Sequence, residues 1–281
     1  MSEIRSRFVD VDGVRTHYLE AGEGPVVVLL HSGEFGGAAE ISWEFTLPAL
    51  AERFRVVAPD WLGFGRTDKV FDFANGRARV YRHMRRFLEV MAIDNADFIG
   101  NSMGGSNLVR VAATRPVIFP IRSMVLCSGG GSTPETNERK TLLAYDGTPD
   151  AMAALLNAML HDPKWGGDAG YVARRQEMAT MPGAWECAAA ARFKSPAAAL
   201  KDSGFGAADA TKYENISVPT LIVAGAEDRL REPGYAQDLG VRIPDCEVHV
   251  LDACGHCPNI ERADDFNRLT IQFLEKVHAI T

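Results

Sequence analysis

Ser102, Asp228 and His256 are the residues of this chain whose types and surroundings could together do hydrolytic chemistry. Ser102 sits in Gly100-Asn-Ser-Met-Gly104, a G-x-S-x-G run. The short apolar stretch Ala96–Ile99 precedes it, and a helical pattern from Gly105 to Arg115, stopped by Pro116, follows it. Strand, G-x-S-x-G, helix is the pattern of a nucleophile elbow. Such a turn brings backbone atoms so close that only small residues fit beside it, hence Gly100, Gly104 and Gly105. It pushes the serine hydroxyl into the crevice at the end of a sheet. It also sets that hydroxyl at a helix N-terminus, where negative charge is favoured. A serine hydroxyl alone is a poor nucleophile and needs a base within hydrogen-bond reach. His256, behind Gly255 on a loop after an apolar run, is the candidate base, to take the proton and return it to the leaving group. Asp228 is the candidate to orient the imidazole and stabilise its charged form, with Glu227 as the neighbouring alternative. Developing oxyanion charge needs two preorganised donors. Met103 offers one N–H. The loop Ser32-Gly-Glu-Phe-Gly-Gly37 offers the other, from Gly33. A phosphate-binding loop is excluded there, because no Lys-Ser/Thr follows.

These residues need a scaffold that gathers strand ends. Phe8–Val11 and Thr16–Glu20 flank Asp12-Gly13, a hairpin signal. Val26–Leu30 reads as a buried strand, and Arg55–Ala58, Ala96–Ile99, Ser123–Cys127, Thr220–Ala224 and Glu247–Leu251 read as strands. Trp43–Arg53, Tyr81–Ile93 and Asp264–His278 read as helices, the last with Phe266, Leu269, Phe273, Leu274 and Val277 on one face. The pattern predicts an α/β fold with a mostly parallel eight-stranded sheet flanked by helices. The rhythm breaks between about Gly130 and Tyr213, where Pro149, Pro163, Pro182 and Pro196 interrupt an Ala- and Met-rich stretch. It predicts a cap of three or four helices inserted after the sixth strand. The expected organisation is core residues 1–130, cap 131–213 and core 214–281. Ligands in such sheets bind outside the carboxyl ends of the strands. Ser102, Asp228, His256 and the His31-Ser32-Gly33 loop each follow a strand there. His31 and Asp60 read as loop supports, and His249 and His278 as surface positions.

Composition narrows the classes. The chain has 281 residues, 46% of them hydrophobic, and a net charge of −7, with a pI near 5.5. That balance argues against nucleic acid or an anionic membrane as partner. The N-terminal Met-Ser-Glu-Ile-Arg-Ser-Arg lacks the apolar stretch of a signal peptide, and no apolar run is long enough to span a bilayer. A cytoplasmic protein acting on a small molecule is expected, with homo-oligomerisation left open. No metal cluster or dinucleotide fingerprint stands out, so no cofactor or metal is expected. The five cysteines suggest reduced thiols. Cys254-Gly-His-Cys257 spells a disulfide-oxidoreductase motif, but such a motif belongs after the first strand of a much smaller domain. His256 is therefore taken as the important residue, and oxidation of the flanking thiols as a regulatory hypothesis.

Taken together, the chain resembles the α/β-hydrolase superfamily, whose triad runs Ser, Asp, His in chain order. It is most similar to the meta-cleavage-product hydrolases, which cleave a carbon–carbon bond in vinylogous 1,5-diketones from aromatic-ring degradation. Gly100-Asn-Ser-Met-Gly-Gly105, His31–Gly37, and Gly255-His256 with Glu261-Arg-Ala-Asp-Asp-Phe-Asn-Arg-Leu carry the resemblance. It implies that Asn101 orients the serine or substrate. It also implies that a cap arginine binds the substrate carboxylate, with Arg174 the first choice and Arg175 the alternative. The loop residues Ser32 and Phe35 depart from that family's Gly and Pro, and Cys257 stands where it has Trp. These departures reshape the pocket and make Ser32 and Phe35 candidate substrate contacts. The expected function is C–C hydrolysis of a 2-hydroxy-6-oxo-dienoate. A carboxylesterase with the same triad is the alternative, and a slow ligand receptor with an intact triad is the alternative outside enzymes.

Overall fold

The computed structural model describes residues 3–72, 76–190 and 209–280. Its sheet holds β1 (Arg5–Val11), β2 (Val14–Ala21), β3 (Val26–Leu30), β4 (Arg55–Pro59), β5 (Ala96–Asn101), β6 (Ile121–Cys127), β7 (Thr220–Gly225) and β8 (Cys246–Leu251). The strands lie in the order β1-β2-β4-β3-β5-β6-β7-β8. β1 pairs antiparallel with β2, and β2 antiparallel with β4. Every later pairing is parallel.

The apolar runs are continuous because both faces of the sheet are covered. Side chains alternate between the faces. Val28, Leu30, Val57, Phe98, Met124, Leu126 and Ile222 belong to one buried cluster with Met84, Phe87, Leu108 and Leu239. These last four come from helices α3 (Gly76–Val90), α4 (Met103–Ala113) and α10 (Tyr235–Arg242). Val27, Leu29, Val56, Ile99, Val125, Leu221 and Val223 belong to the opposite cluster, with Trp43, Leu47, Phe266 and Leu274. There α1 (Ala39–Ser42), α2 (Leu47–Leu50) and α12 (Ala263–Ile280) cover the sheet, α12 after the single turn α11 (Pro258–Glu261). The helix expected over Trp43–Arg53 is instead the single turn α2, with turns on either side of it. Pro48 lies in the first turn of α2, and its ring and missing N–H forbid continuing a helix from upstream.

Between β6 and β7 the described residues form α5 (Asn137–Leu143), α6 (Pro149–Met159), α7 (Lys164–Gly167), α8 (Ala169–Ala179) and α9 (Ala184–Ala190). That is five pieces where three or four were expected, one of them a single turn. Thr148 and Asp168 cap α6 and α8 by accepting from backbone N–H groups. Pro196 lies outside the described residues. The inserted helices share a buried cluster with residues of the loops beneath them. Met152, Leu156, Met159 and Tyr171 pack with Phe35, Leu230, Cys257 and Ile260. No helix among the described residues is long and apolar enough to cross a membrane.

The sheet order places the crevice. The chain leaves β3 for β4 on one side, then returns to β5 on the other, so β3 and β5 are neighbours pointing the same way. Leu30, the last residue of β3, pairs with Gly100 of β5. The loop after His31 and the elbow at Ser102 therefore open side by side at this switch point.

Candidate active site

Ser102 has φ 50° and ψ −108° between β5 and α4. A left-handed φ at a non-glycine residue is sparsely populated and persists only where its surroundings over-determine it. Here the Cys127 carbonyl at the end of β6 accepts both the Ser102 N–H at 2.9 Å and the Asn101 Nδ2–H at 3.2 Å. A Cβ on Gly104 would lie 2.9 Å from the His31 carbonyl oxygen, so helix α4 starts close to the β3 loop only because residue 104 is glycine.

His256 Nε2 is 2.7 Å from Ser102 Oγ, and His256 Nδ1 is 2.7 Å from Asp228 Oδ2. An ionised carboxylate only accepts, so Nδ1 carries the imidazole proton and Nε2 accepts from the serine hydroxyl. Side-chain exposure is 3% at His256 and 2% at Asp228. Burial pushes the Asp228 carboxyl up, but His256, Arg231 and the Leu230 N–H outweigh it and hold its pKa below the usual value. Glu227 does something else. Its carboxylate accepts from the Cys254 N–H at 2.8 Å and ties the β7 loop to the β8 loop.

The loop after β3 is braced through His31. The Trp61 N–H donates to His31 Nε2 at 2.9 Å, so the ring proton is on Nδ1, which donates to the Ser32 carbonyl at 2.6 Å. Burial keeps this imidazole's pKa below normal, against the nearby Asp60, consistent with one ring proton. The Ser32 carbonyl and the Gly33 N–H belong to one peptide plane. His31 therefore orients that N–H. Gly33 lies against Met103, since a Cβ there would be 2.9 Å from Met103 Cβ. The two N–H groups named as oxyanion donors thus belong to neighbouring residues in space. Asp60 is a brace too, accepting from His17, the Ala39 N–H and the Arg66 N–H.

Several expected substrate contacts are placed differently. The Arg174 side chain is 53% exposed and donates twice to Glu44 at 3.0 Å. Its neighbour Arg175 is the buried one, with no exposed side-chain area. Arg175 Nη1 donates to Glu34 Oε1 at 2.7 Å, and Nη2 to the Tyr171 hydroxyl at 3.2 Å. Successive helical residues point about 100° apart, and α8 turns Arg175 inward and Arg174 toward solvent. Ser32 is 1% exposed, and its hydroxyl lies 3.2 Å from that of Ser42 at the end of α1. Asn101 is fully buried beneath the elbow, bonded to strand β6. Phe35 is 2% exposed and points into the inserted helices, with its ring 4.9 Å from that of Tyr145. His278, expected at the surface, is 2.8 Å from the buried Asp97. Cys254 and Cys257 are free and fully buried, and burial raises both thiol pKa values, which opposes thiolate formation.

Two further residues hold the site and were not singled out from sequence. Glu261 Oε1 accepts from the Gly255 N–H at 2.9 Å, and Oε2 from the His161 N–H at 2.6 Å. The His256 N–H donates to the Met159 carbonyl at 2.8 Å. The histidine loop and the end of α6 thus form one hydrogen-bonded unit. Burial outweighs these donors and holds the Glu261 carboxyl above its usual pKa. Its position five residues after His256, inside α11, was the available signal. Arg231, 5% exposed, donates to the carbonyls of Ser128 and Gly130 and fixes the exit from β6.

Comparison with known proteins agrees with this architecture. Residues 11–269 match the model of the "Alpha/beta hydrolase family". A 2-hydroxy-6-oxo-6-(2'-aminophenyl)hexa-2,4-dienoic acid hydrolase of Metapseudomonas resinovorans is 32% identical over 98% of this chain and 92% of its own. A 2-hydroxymuconate semialdehyde hydrolase of Pseudomonas sp. strain CF600 is 30% identical over 95% of this chain and 93% of its own. The solved structure of a meta-cleavage product hydrolase from Pseudomonas fluorescens IP01 superposes with a TM-score of 0.84 at 28% identity, over 96% of this chain and 97% of that one. With a mostly parallel eight-stranded sheet, a helical insertion after β6 and these relatives along its whole length, the chain belongs to the α/β-hydrolase family and is a hydrolase similar to the meta-cleavage product hydrolases.

Proposed function

We propose that this hydrolase uses Ser102, His256 and Asp228 as a catalytic triad and cleaves a carbon–carbon bond in a 2-hydroxy-6-oxo-dienoate. One observation carries the catalytic part: the unbroken chain of 2.7 Å contacts from Ser102 Oγ through His256 to Asp228 Oδ2. Similarity to hydrolases of such dienoates supports the substrate. In this reading His256 first assists the enol-to-keto step. It then takes the proton of Ser102, or of a water that Ser102 activates, as oxygen attacks the carbonyl carbon. Gly33 and Met103 N–H groups face the developing oxyanion. The C–C bond breaks and His256 gives its proton to the carbon that leaves; where water attacked, the acid is then formed directly, and where Ser102 attacked, His256 next takes a proton from a water that adds to the acyl-serine and returns it to the departing Ser102 oxygen. Asp228 keeps Nδ1 protonated throughout.

A carboxylesterase with the same triad is the second reading. The Glu34–Arg175 pair favours it, because the buried Arg175 guanidinium already has a carboxylate. The deciding experiment compares a 2-hydroxy-6-oxo-dienoate with p-nitrophenyl acetate and butyrate, each beside Ser102→Ala. Fast Ser102-dependent loss of dienoate colour with weak ester turnover is the expected result. Ester turnover alone would overturn the C–C reading and leave the triad standing.

A further inference from the structure

Arg231 is a buried cation on the loop that leaves β7, three residues after Asp228. Its guanidinium carries five N–H donors, and among the described residues every acceptor it meets is uncharged. Nε donates to the Ser128 carbonyl at 3.1 Å, and Nη2 to the same oxygen at 2.6 Å. Nη1 donates to the carbonyls of Gly130 at 2.6 Å and Ser132 at 3.3 Å, and Nη2 also to the Ser106 hydroxyl at 3.4 Å. These acceptors lead to the elbow. Ser106 lies in the first turns of α4, and its N–H donates to the Ser102 carbonyl at 2.8 Å. Ser128 follows Cys127, whose carbonyl accepts the Ser102 N–H at 2.9 Å. On the acid side, the Leu230 N–H donates to Asp228 Oδ1 at 2.9 Å, and Leu230 adjoins Arg231. The guanidinium thus joins the backbone anchors of the nucleophile to the turn that carries the acid.

Burying a cation on neutral acceptors alone is costly. The Asp228 carboxylate offsets that cost, since it lies close enough for Arg231 to help hold it ionised. The consequence for His256 follows from sign. A buried carboxylate beside an imidazole favours the protonated ring, and a protonated ring cannot take the serine proton. A fixed cation beside that carboxylate acts the other way and keeps the base free at lower pH. The remaining ionisable groups around the pair act differently. Burial pushes the Tyr235 hydroxyl of α10 and the thiols of Cys127 and Cys254 up, so they stay uncharged. Glu227 turns to the Cys254 N–H, and Arg229 to the Leu160 carbonyl at the end of α6. Glu261, bonded to the histidine loop, is an acid and opposes Arg231 in sign. The Glu34–Arg175 pair near Cys257 brings one charge of each sign. Arg139 of α5 donates to the Leu230 carbonyl at 2.7 Å, but it is partly exposed, and water screens it more.

We propose that Arg231 is a positioning residue of the triad: it locks the Asp228 loop to the anchors of Ser102 and supplies the fixed counter-charge of the Asp228 carboxylate. This rests on the reading of Ser102, His256 and Asp228 as the reacting centre.

The test separates charge from geometry. Arg231→Gln removes the charge, Arg231→Lys keeps it, and neither reproduces the planar five-donor fork. The profile of kcat/KM against pH, whose acid limb reports the free base, is measured on whichever substrate is turned over, the dienoate or p-nitrophenyl butyrate. In Arg231→Gln the acid limb moves up by at least about 0.5 pH unit, and plateau kcat falls at least about tenfold with a smaller change in KM. In Arg231→Lys the acid limb returns to within about 0.2 unit of wild type, while plateau kcat stays below it. An acid limb unmoved in Arg231→Gln overturns the proposal. So does an equal move in both variants, which would trace to a displaced loop rather than to charge. If Arg231→Gln does not fold, Arg231→Met takes its place and is read the same way. Proton NMR needs no turnover: the downfield His256 Nδ1–H signal titrates at higher pH in the uncharged variant than in wild type, and equal titration overturns the proposal. Turnover that survives Ser102→Ala ends the triad reading instead, a result separate from the position of the acid limb.

Discussion

Glu261→Gln tests whether the histidine loop is held by the inserted helices. The Glu261 carboxylate binds the Gly255 N–H with one oxygen and the His161 N–H with the other. Glutamine has the same shape but one acceptor. Whichever way its amide turns, one of these N–H groups faces an NH2 group. With the amide oxygen toward the part-buried Gly255 N–H, the unmatched donor is that of His161, an exposed residue that water reaches, so the cost is about 1 kcal/mol, the low end for an unpaired donor. For a chain of this size that corresponds to a fall in Tm of roughly 2–4 °C. The catalytic consequence is larger than the stability one. Gly255 precedes His256, and a misplacement of about 1 Å in a reacting group can cost on the order of 100-fold in rate. The expected outcome is a kcat lowered about 10- to 100-fold with a much smaller change in KM, measured at a temperature where circular dichroism shows the variant folded. A kcat and Tm equal to those of wild type would refute the reasoning, because the two hydrogen bonds would then be doing nothing for the histidine.

Four other outcomes are expected. Asp228→Asn lowers kcat roughly 10³- to 10⁴-fold without unfolding the chain, since an amide lets the imidazole take the wrong tautomer; a loss below tenfold in steady-state assays would remove Asp228 from the triad. Arg174→Ala leaves kcat/KM within about twofold, because its ion pair with Glu44 is exposed, whereas a large loss would return that side chain to the site. Gly36→Ala destabilises the chain by more than about 1 kcal/mol in urea melts, since φ is +79° and the new Cβ would lie 2.5 Å from the Arg175 carbonyl; an unchanged midpoint would mean this contact is loose. Stability falls by about 1–2 kcal/mol between pH 7 and 5 through His83, whose pKa burial pushes down to about 4. Unfolded His83 binds a proton near pH 6.5 and the folded one does not until about pH 4, so acid favours unfolding. Thr16 donates to the Val14 carbonyl and lies 2.9 Å from His83 Nε2, which places the single ring proton there. Glutamine does not titrate in this range, so urea melts of His83→Gln should lose that part of the slope; the same slope in both would assign it to other groups.

Much of this molecule was legible in its sequence because the information is local. Each central strand is a short apolar run whose two faces are both buried, so composition alone marks it: Val26–Leu30 as read is Val26–Leu30 as built. The elbow is also local, since its glycines answer to atoms a few residues away, with a Cβ on Gly100 landing 2.5 Å from the Gly105 nitrogen. Ser102, Asp228 and His256 could be proposed together because parallel strands of one sheet end at one edge, and each residue follows a strand. What sequence left undecided depends on how distant elements pack. Trp43–Arg53 has helical composition, but with Pro48 in its first turn and β4 starting at Arg55 only Leu47–Leu50 is helical. Arg174 and Arg175 are adjacent and chemically identical. Only the seating of α8 against the Gly33 loop sends one to solvent and the other onto Glu34. Glu261 has no role that sequence assigns until the end of α6 comes down on the histidine loop and presents it with backbone donors. Hydrophobic pattern and backbone sterics determine elements and turns within a few residues. The pairing of buried charges is determined by which surfaces meet, and that is a property of the folded chain alone.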